Sequence, residues 1–522
     1  MTTATLPTAP WRPVELTLTA RQDHPDPYGG LDVHVVFSHP DGLVLRRPAF
    51  WDGGRTWRVR FSSPGPVGEW SWTSSANASD PGLHGVSGTV AIGADAPRGR
   101  FERHGFWRMS EEGRHLVHAD GTSALLVGDT AWALPWRATP EQVEVYARDR
   151  AAKGFNAVLL MSLQPDSDAR GPEDRGADEG FGVAFDDLPQ ATLRALRPDY
   201  FQDLDRLLDV LRAHDLVPVL QPVFQGFGWK GLRAAGGTVP PAEYARYCRY
   251  LVARYGAGPV VWLVGADGSG EEPQTLAGGR EVQAWDDHRH PTGIHYRPFA
   301  HNRAHQDADW LDFQWCQTGH RGDHVPERVA DMARNQPEKA VANGEPSYEN
   351  TGRSGFNAGW WQGHEAWGNL CAGATMGVVY GAGSLWQWQL RPDETGQSTF
   401  FSAPGAGWRE ALDFEGSTYP GVLARVLQGL PFTGARPSWE HSTVPRGLIV
   451  PGRFLLVYAH DGGDVRVVRG AEVPRPYRVI DPTTGEVVAR GVREEEDGTI
   501  PDPGGAPRVF VCCDDFSGSA IA

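Results

Sequence analysis

Cysteine is scarce and unpatterned in this chain: Cys248, Cys316, Cys371, Cys512 and Cys513 are odd in number and form no Cys-x-x-Cys pair. A disulfide framework and a cysteine-based zinc site are thereby excluded, and reduced thiols are expected. No run reaches the roughly 18 apolar residues that a spanning helix needs. Residues 1–20 lack a basic segment followed by a long apolar one, so no secretion signal is read and a cytoplasmic location is expected. Positive charge is also short, with 49 Lys and Arg against 65 Asp and Glu for a net charge of -16. The acids are spread along the whole length, which argues against nucleic acid or an anionic membrane as partner. No Gly-x-Ser-x-Gly elbow occurs where a strand would turn into a helix, so serine hydrolase chemistry has no support. Gly381-Ala382-Gly383 does not run on into a Lys-Ser/Thr phosphate loop and reads as a tight strand entry. His301 and His305 stand at i, i+4, but the Glu of a zinc hydrolase helix and a third ligand are missing; neither metal nor cofactor is expected.

What is abundant points elsewhere. The 522 residues include 20 Trp, 64 Gly and 41 Pro, the composition of a loop-rich protein with many rigid flat surfaces. Indole rings pack well against the C–H faces of sugars, although a Trp-rich core would show the same count. Trp360-Trp361 and Trp386-Gln387-Trp388 are the pairs placed closest to the expected site.

The chain divides into three zones, with boundaries expected at 1–98, 99–430 and 431–522. In the first, short alternating runs such as Leu31-Asp32-Val33-His34-Val35-Val36-Phe37 and Trp57-Arg58-Val59-Arg60-Phe61 are separated by Pro/Gly turns, which predicts a β-sandwich. Phe50-Trp51-Asp52-Gly53-Gly54 reads as an aromatic-rich turn and Gly68-Glu69-Trp70-Ser71-Trp72 as an edge. The middle zone alternates apolar runs with helical patterns. Strands are expected at 124–129, 157–161, 217–221, 260–264, 292–295, 312–315, 340–343 and 383–386, and eight such strands predict a (β/α)8 TIM barrel, an α/β fold. Helices are expected at 139–153, opened by a Thr-Pro-Glu cap signal, and at 200–214, where Leu204, Leu207, Leu208 and Leu211 share a face. The polar, Gly-rich stretch 166–198 reads as a loop covering the site. The last zone returns to short strands around Asp481-Pro482-Thr483-Thr484-Gly485 turn chemistry and predicts a second β-sandwich. Residues 91–99 are the expected hinge.

Two apolar runs end in carboxylates. Val260-Val261-Trp262-Leu263-Val264-Gly265-Ala266-Asp267 would be the fourth barrel strand and Val341-Ala342-Asn343-Gly344-Glu345 the seventh, which puts both acids on the face where such barrels carry their chemistry. Paired strand-end carboxylates are what glycosidic bond cleavage needs, with a gap of about 5 Å for retention and roughly 6.5–9.5 Å for inversion. Retention is expected, with Glu345 as nucleophile and Asp267 as general acid/base. A capping or salt-bridging role is the alternative for Glu345. Sugar hydroxyls would be met by Asp129, Gln221, His295, Tyr296, Gln314, Tyr348 and Glu349, with stacking from Trp132, Trp386 and Trp388. Asp129 equally suits the cap of the next helix, and Glu349 either orients Glu345 or faces solvent.

The ordered motifs Gly128-Asp129-Thr130-Ala131-Trp132, Lys153-Gly154-Phe155-Asn156-Ala157, Val261-Trp262-Leu263-Val264-Gly265-Ala266-Asp267 and Glu345-Pro346-Ser347-Tyr348-Glu349 resemble those of the apiosidase-like glycoside hydrolases over about residues 100–430. The resemblance implies a catalytic Asp after strand four and a catalytic Glu after strand seven, an N-terminal β-domain and a small C-terminal all-β partner. Ala266 stands where the family more often has a second glycine, a change that should keep Asp267 in place unless that backbone needs positive φ. The function expected is cleavage of a terminal sugar from a small oligosaccharide or plant-derived glycoside. The alternatives are a carbohydrate-binding barrel that has lost turnover, and flanking sandwiches that mediate assembly.

Overall fold

A computed structural model of the chain describes residues 8–164, 173–174, 179–180, 183–226, 237–298, 302–319, 324–351, 357–393, 405–444, 446–468, 470–495 and 497–522. Residues 166–172, 175–178 and 181–182 of the expected covering loop at 166–198, and His301 of the 301/305 histidine pair, lie outside these residues.

In the N-terminal zone the alternating runs form two antiparallel sheets. One is ordered Val44–Pro48, Val33–Ser38, Gly68–Ala76, Ser87–Ile92; the other is ordered Val14–Thr19, Thr56–Phe61, Phe50–Trp51. Their inward residues, among them Val35, Phe37, Val59, Phe61 and Trp70, meet in one buried cluster, so the two sheets face each other as a sandwich. Gly68–Ala76 is an interior strand and not the expected edge, because it pairs with Val33–Ser38 on one side and Ser87–Ile92 on the other.

The middle zone closes into an eight-stranded parallel barrel. Its strands, in barrel order, are β1 Leu126–Thr130, β2 Ala157–Met161, β3 Val217–Gln221, β4 Val261–Gly268, β5 Thr292–Tyr296, β6 Phe313–Gln317, β7 Ala340–Glu345 and β8 Gly377–Gly381. Every residue of these eight strands is buried, as expected where helices cover the outer face and side chains fill the centre. β8 lies six residues before the run assigned to it from sequence. The β-branched pair in Gly377-Val378-Val379-Tyr380-Gly381 takes the strand, and Gly383–Trp386 is a helical turn beyond its end. Gly381-Ala382-Gly383 is therefore a strand exit.

The helices α1 Pro140–Ala152, α2 Pro198–Ala213, α3 Pro241–Tyr255 and α4 Pro273–Trp285 each open on a proline, which spends its missing N–H where no helical partner exists. α1 carries the full capping box, Thr139 with Gln142. Two later helices, α5 Glu327–Ala333 and α6 Trp360–Ala372, flank β7 and β8. Arg254 of α3 joins the zones: it pairs with Asp205 of α2 at 2.8 Å and with Asp52 of the N-terminal sandwich at 3.0 Å.

The C-terminal zone is a six-stranded antiparallel sheet with a two-stranded ribbon, Val465–Arg466 and Thr499–Ile500. Its central strand Phe454–Ala459 alternates strictly. Phe454, Leu456 and Tyr458 pack toward Trp367 and Leu370 of α6, while Leu455, Val457 and Ala459 join the core beneath the ribbon. All five cysteines are buried free thiols. No helix among the described residues is long and apolar enough to cross a membrane.

Candidate active site

Asp267 and Glu345 stand at the C-terminal ends of β4 and β7, and the local backbone explains how each is presented. The pairing of β4 with β5 slips between Leu263 and Ala266 and again before Gly268, a bulge that turns the strand end inward. Gln225 holds the bulge, its Oε1 accepting from the Ala266 amide at 3.1 Å and its Nε2 donating to Thr275 at 2.6 Å. The positive φ of this segment falls on Asp267 itself, at 60°, and Ala266 has none. Alanine at 266 is thus tolerated, and the strain sits on the candidate acid Asp267.

Burial drives the Asp267 carboxyl well above its ordinary value, and the charge of Glu345 adds to the shift. Its Oδ1 has no hydrogen-bond partner among the described residues. Glu345 is in a different environment. Its Oε2 lies 2.9 Å from Nε2 of His295, and the Tyr348 hydroxyl is hydrogen-bonded to it. The result is one carboxyl held neutral next to another that faces donors, the asymmetry that acid/nucleophile pairs require.

The turn after β7 is pinned from behind by α6. Glu365 accepts from the Ser347 amide at 3.0 Å and from the Ser347 hydroxyl at 3.2 Å, and Gln362 donates to the Ser347 carbonyl at 2.9 Å. Close approach also requires Gly344, because a Cβ there would lie 1.7 Å from the buried Trp315 indole. Gly344→Ala is expected to displace that ring, destabilising the fold by about 1–3 kcal/mol and lowering turnover along with the urea midpoint. An unchanged midpoint would show that Trp315 has room to retreat.

Five of the ten residues expected at the substrate gather near the pair. His295 sits between Glu345 and Gln221, whose Oε1 lies 2.7 Å from His295 Nδ1. Trp132 packs edge-on to His295 at 5.8 Å and to Trp386 at 6.1 Å, and Trp386 lies 6.5 Å from the Tyr348 ring. Of the two indoles only Trp386 keeps partial exposure, and Trp132 is buried behind it.

The other five serve the scaffold. Asp129 is fully buried, accepting from Arg150 at 2.5 Å, Tyr146 at 2.9 Å and the Thr130 amide at 2.8 Å. Gln314 points outward to Asn335 and the Met332 carbonyl. Tyr296 donates to the Ala304 carbonyl at 2.7 Å. Glu349 is buried and accepts from Tyr380 at 2.6 Å and the Gly359 amide at 2.7 Å, bracing the loop. Trp388 is stacked on Trp408 at 4.9 Å. Trp360 meets Tyr419 and Trp361 meets His364, both on the outer side of α6. Sequence reasoning missed Gln225, Gln362 and Glu365. The last two carried one signal: α6 is buried almost all round, and polar groups on such a helix must have partners inside. Among the described residues no group of three or more His, Cys, Asp or Glu is placed to hold a metal ion.

Comparison with known proteins agrees with this geometry. A family model described as "Apiosidase-like, catalytic domain" matches residues 110–434, more than half of the chain, and a second, for a domain of unknown function (DUF5060), matches residues 8–77. No curated protein matches the sequence. Among solved structures, a glycoside hydrolase family 5 protein from Bacteroides vulgatus superposes with a TM-score of 0.64 at 20% identity, over 80% of this chain and 97% of that one. A glycoside hydrolase candidate from the same organism superposes with a TM-score of 0.71 at 16% identity, over 97% of this chain and 99% of that one. At these identities the likeness concerns the fold.

Proposed function

The chain belongs to the apiosidase-like glycoside hydrolase family, and from that premise we propose that it removes a terminal sugar from a small oligosaccharide or plant-derived glycoside with retention of configuration. Asp267 is the general acid/base and Glu345 the nucleophile. The observation that carries the reading is the electrostatic split between two coupled strand-end acids: burial and the Glu345 charge favour the protonated form of Asp267, while His295 and Tyr348 face Glu345.

In the first step Asp267 passes its proton to the glycosidic oxygen as that bond breaks, and a Glu345 oxygen bonds to the anomeric carbon. The ester that forms carries no charge on Glu345. One of the two causes that raise Asp267 is then gone, and its carboxylate is better suited to take a proton from the water that releases the sugar. Trp386 offers the sugar ring an apolar face beside Tyr348.

The test is release of aryl aglycone from a panel of α- and β-glycosides, an apioside included. One member should be turned over by the wild type and not by Glu345→Gln. For that substrate, azide should restore turnover to Asp267→Ala by giving a glycosyl azide of retained configuration. Hydrolysis undiminished in Glu345→Gln removes the assignment; sugar binding without turnover by any member favours the binding-protein alternative.

A further inference from the structure

Gln221, His295 and Glu345 form a line across the barrel mouth from the ends of β3, β5 and β7, and all three are buried. The proton count along that line is constrained. With Gln221 Oε1 facing Nδ1 at 2.7 Å and Glu345 Oε2 facing Nε2 at 2.9 Å, the ring stands between two acceptors, and satisfying both takes an N–H on each nitrogen. Turning the Gln221 amide end for end lets its nitrogen donate to Nδ1, and a neutral ring then keeps its proton on Nε2. That amide nitrogen is otherwise buried without a partner, which favours the turned arrangement. Either way an N–H faces Glu345. The contact is close but not linear, and catalytic hydrogen bonds often tighten only when substrate binds.

We propose that His295, tethered by Gln221, is the positioning residue of this site: its Nε2–H holds Glu345 ionised and fixes the direction of its carboxylate. This rests on the reading of Glu345 as nucleophile. Among the described residues, Asp267 from β4, whose negative charge would oppose its ionisation, and Tyr348 from the turn after β7, whose hydroxyl supports it, also act on Glu345. Gln221 acts through the ring, by deciding which nitrogen carries the proton.

The experiment follows Glu345 directly. In full-length protein labelled with 13C at glutamate side-chain carboxyls, the Glu345 resonance is assigned by its absence in Glu345→Gln and titrated in wild type, His295→Leu, Gln221→Leu and the double variant. Loss of a donor favours the protonated form, so the Glu345 midpoint should rise by about one unit in His295→Leu, a tenfold weaker acid. Gln221→Leu should move it the same way by less, and the double variant no further than His295→Leu. On the glycoside found in the panel, the acidic limb of kcat/KM should rise in step and kcat fall by about 10- to 100-fold. A midpoint unmoved in folded His295→Leu overturns the proposal, and if that variant does not fold, an unmoved midpoint in Gln221→Leu does so. Full turnover by Glu345→Gln would instead overturn the nucleophile assignment while leaving the midpoint shift standing.

Discussion

Asp267→Asn is expected to lose turnover by about 10²- to 10⁴-fold, the usual range for a general acid, and at the same time to raise the unfolding temperature at neutral pH. Both effects have one cause. The carboxyl is buried beside another acid, and its Oδ1 has no partner among the described residues. It therefore binds its proton more tightly in the fold than in the unfolded chain. Its favourable contribution is complete below the unfolded carboxyl range, near about 4, and is lost as pH rises through the raised folded value. Asparagine stays neutral at every pH and tolerates the positive φ of 60° at this position. The stability gap between variant and wild type should accordingly widen as pH rises from about 4 toward 8. Thermal unfolding of both proteins across that range is the measurement. A variant less stable than wild type at pH 7, with a deficit that grows as pH rises from about 4, would mean that the fold stabilises the Asp267 carboxylate, and the acid role would fall with it.

The barrel was legible because its strands are short apolar runs ending at Gly, Pro or polar residues, and seven of the eight stand where those runs predicted them. The eighth was displaced to Gly377–Gly381. Gly383-Ser384-Leu385-Trp386 resembles a strand in composition, but nothing in the sequence reveals that β7 and β1 are already paired by the run before it. The placement of Asp267 and Glu345 at the barrel rim was legible for a related reason, since a run that ends in an acid marks both the strand and its end.

Which neighbouring polar residues face the centre was not legible. Strands buried on both faces carry no hydrophobic alternation, so Gln221 and Gln314 look alike in sequence. The first reaches His295, whereas the second turns outward to Asn335. Remote partners were equally hidden. Glu365 and Gln362 reach the Ser347 turn from a helix that begins 15 residues after Glu345, a contact that only the closed barrel brings about.

Asp129 carries the largest structural prediction, because a residue that read as a sugar ligand is an internal anchor. Burial pushes its carboxyl above the ordinary value, while Arg150, Tyr146 and the Thr130 amide pull against that. Neither Asp129 nor Arg150 has any solvent-accessible side-chain surface. Asp129→Ala would take away the buried one of the guanidinium's two carboxylate partners and leave it on the partly exposed Asp149 at 2.6 Å, since arginine cannot shed its proton. The expected cost is about 2–4 kcal/mol, below that of a wholly unpaired buried charge, with part of it recovered in Asp129→Ala combined with Arg150→Met. Urea unfolding measures the loss, and KM of the folded fraction for the aryl glycoside should stay within about twofold, a difference of well under 1 kcal/mol in binding. A stability loss under about 1 kcal/mol together with a tenfold rise in KM would return Asp129 to the substrate. The outcome expected here places sugar recognition at the β3, β5 and β7 ends and leaves the tip of β1 to hold α1 against the barrel.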